Sequence, residues 1–158
     1  MNTQPATHDE ARNWLFRLLM RRSCTSCEAR RRLQEREVDE DVAEALIAEA
    51  QEMGLLDDAA YAHLFAESHG AWSNKRIAYE LGHRGVSDED IQTSLEELAD
   101  EENRLQPFVA SWRKSGLEER KIIARLYRRG FSGRAIRAVC QNLDDDDFEA
   151  PFLLTRKG

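Results

Sequence analysis

Cys24-Thr25-Ser26-Cys27 has the spacing of a metal knuckle or of a redox pair. A zinc site needs a second pair of ligands at suitable spacing, and Cys140 alone does not supply one. A redox pair normally rides on an α/β scaffold, and no strand pattern competes here. The pair therefore reads as small residues at a helix start, with nearby arginines able to lower a thiol pKa and favour oxidation. Asp57 and Asp58 are adjacent carboxylates, but neighbours at a helix start do not face one another. Aspartate is favoured there by capping and by the helix dipole. His8, His63, His69 and His83 show no ligand spacing, and His63 and His69 fall off a common helical face, so they default to the surface. There is no glycine-rich phosphate loop and no nucleophile elbow. The expectation is a protein with no catalytic site, no metal and no cofactor.

The arginines carry more information. Arg120, Lys121, Arg125, Arg128, Arg129, Arg134 and Arg137 concentrate on two consecutive helical segments and the corner between them. Arg30, Arg31 and Arg32 occupy a matching segment upstream, and Lys75 and Arg76 open the corresponding one in the middle of the chain, which Arg84 closes. Such clusters suit recognition of phosphate or carboxylate. The plainer reading is solubilising charge on helix faces.

Charge is distributed unevenly along the 158 residues. Residues 1–36 hold 8 basic and 4 acidic side chains, residues 37–103 hold 3 and 19, and residues 104–158 hold 12 and 7. An acidic middle between basic ends suits a partner that presents both signs, such as a protein–nucleic acid assembly. No apolar run approaches the roughly 18 residues of a membrane span. The N-terminal residues lack a secretory pattern, and three cysteines do not make a disulfide framework. These features predict a soluble, cytoplasmic chain, and nothing calls for a homodimer.

What must position the arginines is a repeated corner. "ELGHRGVSDEDI" at 80–91 is echoed by "RLYRRGFSGRAI" at 125–136. In each, leucine is followed after two residues by Arg-Gly, an apolar residue and serine. Glycine suits the left-handed position just past a helix end, the apolar residue folds back onto the leucine, and serine caps the next helix. "RRRLQEREVDEDV" is a weaker third copy in which Glu37 replaces glycine, predicting a differently shaped corner. The markers Leu33, Leu81 and Leu126 lie 48 and 45 residues apart, a period typical of stacked helical units.

Apolar residues at helical spacing predict helices near 9–22, 25–36, 39–53, 57–68, 73–84, 87–101, 104–114, 118–129 and 132–142. Met53 and Leu64 are among the residues assigned to the apolar stripes. The fold class is therefore all-α: three tandem three-helix repeats in a curved, elongated array. The expected division is a flexible N-terminus at 1–8, repeats at 9–54, 55–102 and 103–143, and an acidic and apolar tail at 144–158. The tail reads as loosely ordered, with docking of Phe148, Phe152 and Leu153 onto a repeat as the alternative.

"GLLDDAAYAHLFAES", "SNKRIAYELGHRGVSDEDI" and "KIIARLYRRGFSGRAI", in this order and spacing, resemble the RecX regulatory proteins of bacteria. The resemblance covers roughly residues 12 to 143 and is most specific over 54 to 91. Gly54, Leu56, Asp57 and Asp58 match the family's G-x-L-D-D signature. Arg76, Ile77, Glu80, Leu81 and Gly85 match its middle-repeat helix, and Arg76 is the contact this most directly implies. The resemblance implies an all-helical fold of three repeats that binds the RecA–DNA filament along its groove. It also implies inhibition of recombinase, ATPase and co-protease functions, without catalysis. The chain departs from the family in its acidity, in Glu37 and in its aspartate-rich tail. Acidity weakens the expectation of direct DNA affinity, which grows with the phosphates neutralised. An independent helix-turn-helix-like DNA-binding module is the alternative.

Overall fold

The computed structural model describes residues 7–140. The expectations for residues 1–6 and for the tail, with Phe148, Phe152 and Leu153, lie outside that range. Among the described residues every regular element is a helix: α1 (His8–Arg21), α2 (Ser26–Glu35), α3 (Glu40–Glu52), α4 (Asp58–Ser68), α5 (Asn74–His83), α6 (Asp88–Glu97), α7 (Glu101–Lys114), α8 (Glu119–Arg128) and α9 (Gly133–Val139). They form three successive trios, the tandem three-helix repeats that the corner motif predicts.

Starts and stops have local chemical causes. Thr25 and Glu28 exchange side-chain and backbone hydrogen bonds as a reciprocal capping box, and Thr7 and Glu10 do the same at α1. Asp57, Ser73, Ser87, Asp100 and Ser132 each accept a hydrogen bond from the amide three residues on. Asp100 explains the largest departure from the predicted spans. It ends the link after α6 and starts α7 at Glu101, where the acidic stretch had been assigned to the end of α6. At the other end of the chain α9 stops at Val139, short of the predicted 142; residues 141–142 lie outside the described range.

The corners that join the second and third helices of the three repeats share one geometry. Val38 donates its amide to the Leu33 carbonyl at 3.1 Å, Val86 to Leu81 at 3.1 Å and Phe131 to Leu126 at 3.2 Å. The preceding residue has a positive φ each time: 58° at Glu37, 83° at Gly85 and 87° at Gly130. This is the Schellman cap, and the three leucines beneath it are fully buried. The expectation of a differently shaped corner at Glu37 was therefore incorrect. The same bonds form there, and glutamate bears the left-handed conformation on an exposed residue.

The chain divides into two units. One combines residues up to Leu64 with Glu80–Ser94, and the other combines Phe65–Tyr79 with residues from Leu95 onward, so the division falls inside α4, α5 and α6. In the first unit α1, α2 and α3 pack on one another around Leu15, Leu18, Leu33, Leu46 and Ile47. In the second α7, α8 and α9 enclose Leu105, Val109, Ile122, Leu126 and Ile136. Each fully buried side chain of this size contributes roughly 1.5–3 kcal/mol relative to exposure. Met53 and Leu64, assigned above to the apolar stripes, are instead 57% and 64% exposed. No helix among the described residues is long and apolar enough to cross a membrane.

Candidate functional site

The clustered cations have distinct settings. Arg30, on α2, is engaged: its guanidinium grips both carboxylate oxygens of Glu44 on α3, at 2.5 and 3.4 Å. Arg31 is exposed and lies 3.9 Å from Glu35, one turn on, while Arg32 is half-buried. Lys75 and Arg76 are exposed in the first turn of α5, and Arg120 and Lys121 in the first turn of α8. Arg128, Arg134 and Arg137 are exposed around the α8–α9 corner. Arg30, Arg31, Arg32 and Arg84 belong to the first unit and the remainder to the second.

Several arginines lie on aromatic rings. Arg76 sits 3.7 Å from the centroid of Trp72. Beneath that indole follow His69, with centroids 4.1 Å apart, and Phe65 at a further 4.2 Å. The Nδ1 of His69 lies 2.8 Å from the Phe65 carbonyl oxygen, which makes it the donor. In the third repeat Arg125 and Arg129, one turn apart on and just past α8, both cover Trp112, at 4.8 and 5.0 Å. Two like charges gathered on one ring concentrate positive potential at its edge. A guanidinium held flat on a ring keeps its in-plane N–H fork oriented, which suits two-point recognition of carboxylate or phosphate.

The arginine directly before the corner that joins the second and third helices of each repeat follows one rule. Arg36 lies 4.5 Å above Trp14 of α1, Arg84 donates from Nη1 to the Tyr61 hydroxyl of α4 at 2.8 Å, and Arg129 lies on Trp112 of α7. In every repeat the corner arginine thus meets an aromatic residue of that repeat's first helix, over the ring at Arg36 and Arg129 and through the phenol hydroxyl at Arg84. Arg36 is absent from the sequence-derived candidates, although its place three residues after Leu33 matches that of Arg84 after Leu81 and Arg129 after Leu126. The signal lies in the motif itself, one position before the left-handed residue and outside the run Arg30–Arg32.

Two further arginines hold the scaffold. Arg104, near the start of α7, donates to the carbonyls of Ala99 at 2.7 Å, Gly70 at 2.9 Å and Trp72 at 2.5 Å, and to the Asn74 side-chain carbonyl. Burial pushes its pKa below the usual arginine value, while Glu101 and Asp100 oppose that effect. It ties the loop bearing Trp72 to α7. Arg113 reaches across the corner at Gly116 to both carboxylate oxygens of Glu119, and it also meets the Val139 carbonyl at 3.0 Å. That hydrogen bonding holds the Glu119 carboxyl below its ordinary range.

Two of the cysteines, Cys24 and Cys140, are buried. Burial, helped by Glu28, raises Cys24 and outweighs the lowering by Arg22 and Arg32, so at Cys24 the net direction is opposite to the one expected from its arginines. Cys140 is pushed up to about 11, first by burial and then by Glu119. Among the described residues no three His, Cys, Asp or Glu side chains gather to hold a metal ion.

Residues 57–95 match the family model described as RecX, second three-helix domain. The regulatory protein RecX of Halorhodospira halophila is 31% identical over 163 aligned positions, covering 96% of this chain and 99% of that protein. The regulatory protein RecX of Thermobifida fusca is 29% identical, covering 94% of this chain and 86% of that one. The crystal structure of RecX from Lactobacillus salivarius has the same fold, with a TM-score of 0.78 at 21% identity over 87% of this chain and 96% of the other. With corners, caps and repeat order in place and likeness to relatives spanning nearly the full length of both chains, this protein belongs to the RecX family of regulatory proteins.

Proposed function

We propose that the protein binds the RecA–DNA filament in its helical groove and inhibits recombinase, ATPase and co-protease activity. The observation that carries this reading is the near end-to-end match to regulatory RecX proteins. The arginine–aromatic pairs are the surfaces assigned to it: Arg76 on Trp72, and Arg125 and Arg129 on Trp112, with the exposed Arg128 beside them in sequence. Lys75, Arg84, Arg120, Lys121, Arg134 and Arg137 extend that set. A polymer of identical subunits offers the same acidic groups at regular intervals, and a chain of three repeats can engage several at once. Linking contacts in this way raises avidity without any one contact being strong. Binding that favours one filament geometry opposes the cycling that ATP turnover requires. The acid-rich second repeat complements basic protein surface and disfavours long-range attraction to bare DNA.

The test is the DNA-dependent ATPase of RecA on single-stranded DNA, titrated with this protein. Inhibition that saturates with added protein is expected, and an unchanged rate at large excess rejects the proposal. Tight binding to naked DNA in the absence of RecA would favour an independent helix-turn-helix-like module instead.

A further inference from the structure

The corner arginines repeat with the fold itself, and this sets them apart from the other cations. Each stands immediately before the left-handed residue, at Arg36, Arg84 and Arg129, and each is held by an aromatic residue from the same repeat. A positive charge at a helix C-terminus is favourable in itself, and lysine would serve that purpose equally well. A planar fork oriented by an aromatic neighbour, by a ring face at Arg36 and Arg129 and by the Tyr61 hydroxyl at Arg84, adds something lysine lacks, namely paired N–H donors suited to one acceptor group. Charge balance separates the two common acceptors. The chain carries net charge −7, and its middle segment has 19 acidic against 3 basic side chains. Long-range attraction to polyphosphate is therefore poor, whereas a short-range, two-point contact with a carboxylate survives such surroundings.

We infer that Arg36, Arg84 and Arg129 are equivalent partner contacts, one per repeat, each taking a carboxylate of a protein partner. The inference rests on the filament-binding reading and deepens it. It adds Arg36 as a contact and assigns the recognised chemistry to acidic side chains of the protein filament.

The test compares wild type with the triple variant Arg36→Lys, Arg84→Lys, Arg129→Lys. Capture is measured by RecA filaments on single-stranded DNA and by the same DNA without RecA, with thermal melting alongside. Lysine preserves the helix-end charge, so melting is expected to move little, while filament affinity falls at least tenfold. Tyr61→Phe removes only the hydroxyl that holds Arg84, and a loss of about threefold is expected from the weakened ordering of one contact, of the size of an ordinary hydrogen bond. Full capture of the triple variant overturns the inference. So does a loss of capture that merely follows a loss of folded protein, which would make the corners structural only. A loss confined to naked DNA overturns the carboxylate assignment in favour of phosphate. No capture of wild type by filaments is the separate failure of the filament reading, and the inference falls with it.

Discussion

The corner at Glu37 and the corner at Gly85 form the same hydrogen bonds in the same left-handed backbone, yet one is glutamate and the other glycine. The difference lies in their neighbours. A Cβ built at Gly85 would stand 2.3 Å from Cβ and 2.6 Å from Sγ of Cys27. Glu37 is exposed, and its own Cβ is accommodated. A left-handed L-residue costs roughly 1–2 kcal/mol, which a well-buried core can offset. A close approach of two segments leaves no such latitude. Glycine is thus dictated at the second corner by crowding and at the first only preferred.

The strongest way to break this comparison is Gly85→Val. Overpacking against Cys27 added to backbone strain should destabilise by about 3 kcal/mol or more in denaturant melts. In a Gly85→Ala background, Cys27→Gly should recover more than about 1 kcal/mol relative to its effect in wild type, as a double-mutant cycle would register. Absence of coupling would show that space is not the reason for glycine.

Gly130 is intermediate. Its virtual Cβ lies 3.1 Å from Ser73 Oγ, a contact that a small adjustment relieves. Gly130→Ala should cost about 1.5 kcal/mol, mostly backbone strain. The converse change, Glu37→Gly, should stabilise by about 1 kcal/mol or slightly less, since relief of strain is partly offset by a more flexible unfolded chain. A destabilised Glu37→Gly would assign the glutamate some role besides filling the corner.

The corner at Gly116 extends the comparison to pH. It has no close neighbour around its virtual Cβ, and Arg113 and Glu119 clasp it from either side. Glu119 has a folded-state pKa below its unfolded value. Its contribution is therefore fully present above the unfolded value, about 4.3, and is lost as pH falls through the depressed folded value. Glu119→Gln should lower stability at neutral pH by about 0.5 kcal/mol, typical of a half-exposed ion pair. That difference should vanish in acid; one that is constant with pH would rule out the ion pair as its source.

What could be read from the sequence follows the range of each interaction. Helix ends were legible because caps and corners are settled by residues three to five apart: Thr25 with Glu28, Leu81 with Val86, Leu126 with Phe131. The start of α7 was misplaced because Asp100 stands in a run of acids, and nothing in the run marks which one turns from helix body to cap. Arginine clusters were visible as charge, but their settings were not. Trp14 and Arg36 are 22 residues apart, and Arg104 finds its partners at 70–74. Such pairings depend on how helices pack, and charge counting treats a buried guanidinium and a solvated one alike. Arg104 was passed over for that reason.

The half-buried guanidinium of Arg104 has a dynamic consequence. It collects oxygen atoms from Gly70, Trp72, Asn74 and Ala99, so loosening any one of these segments removes part of the shell that solvates the ion. Piecemeal breathing is thereby suppressed, and the segments it joins should open together or stay closed together, with backbone amides there trading deuterium at a common rate.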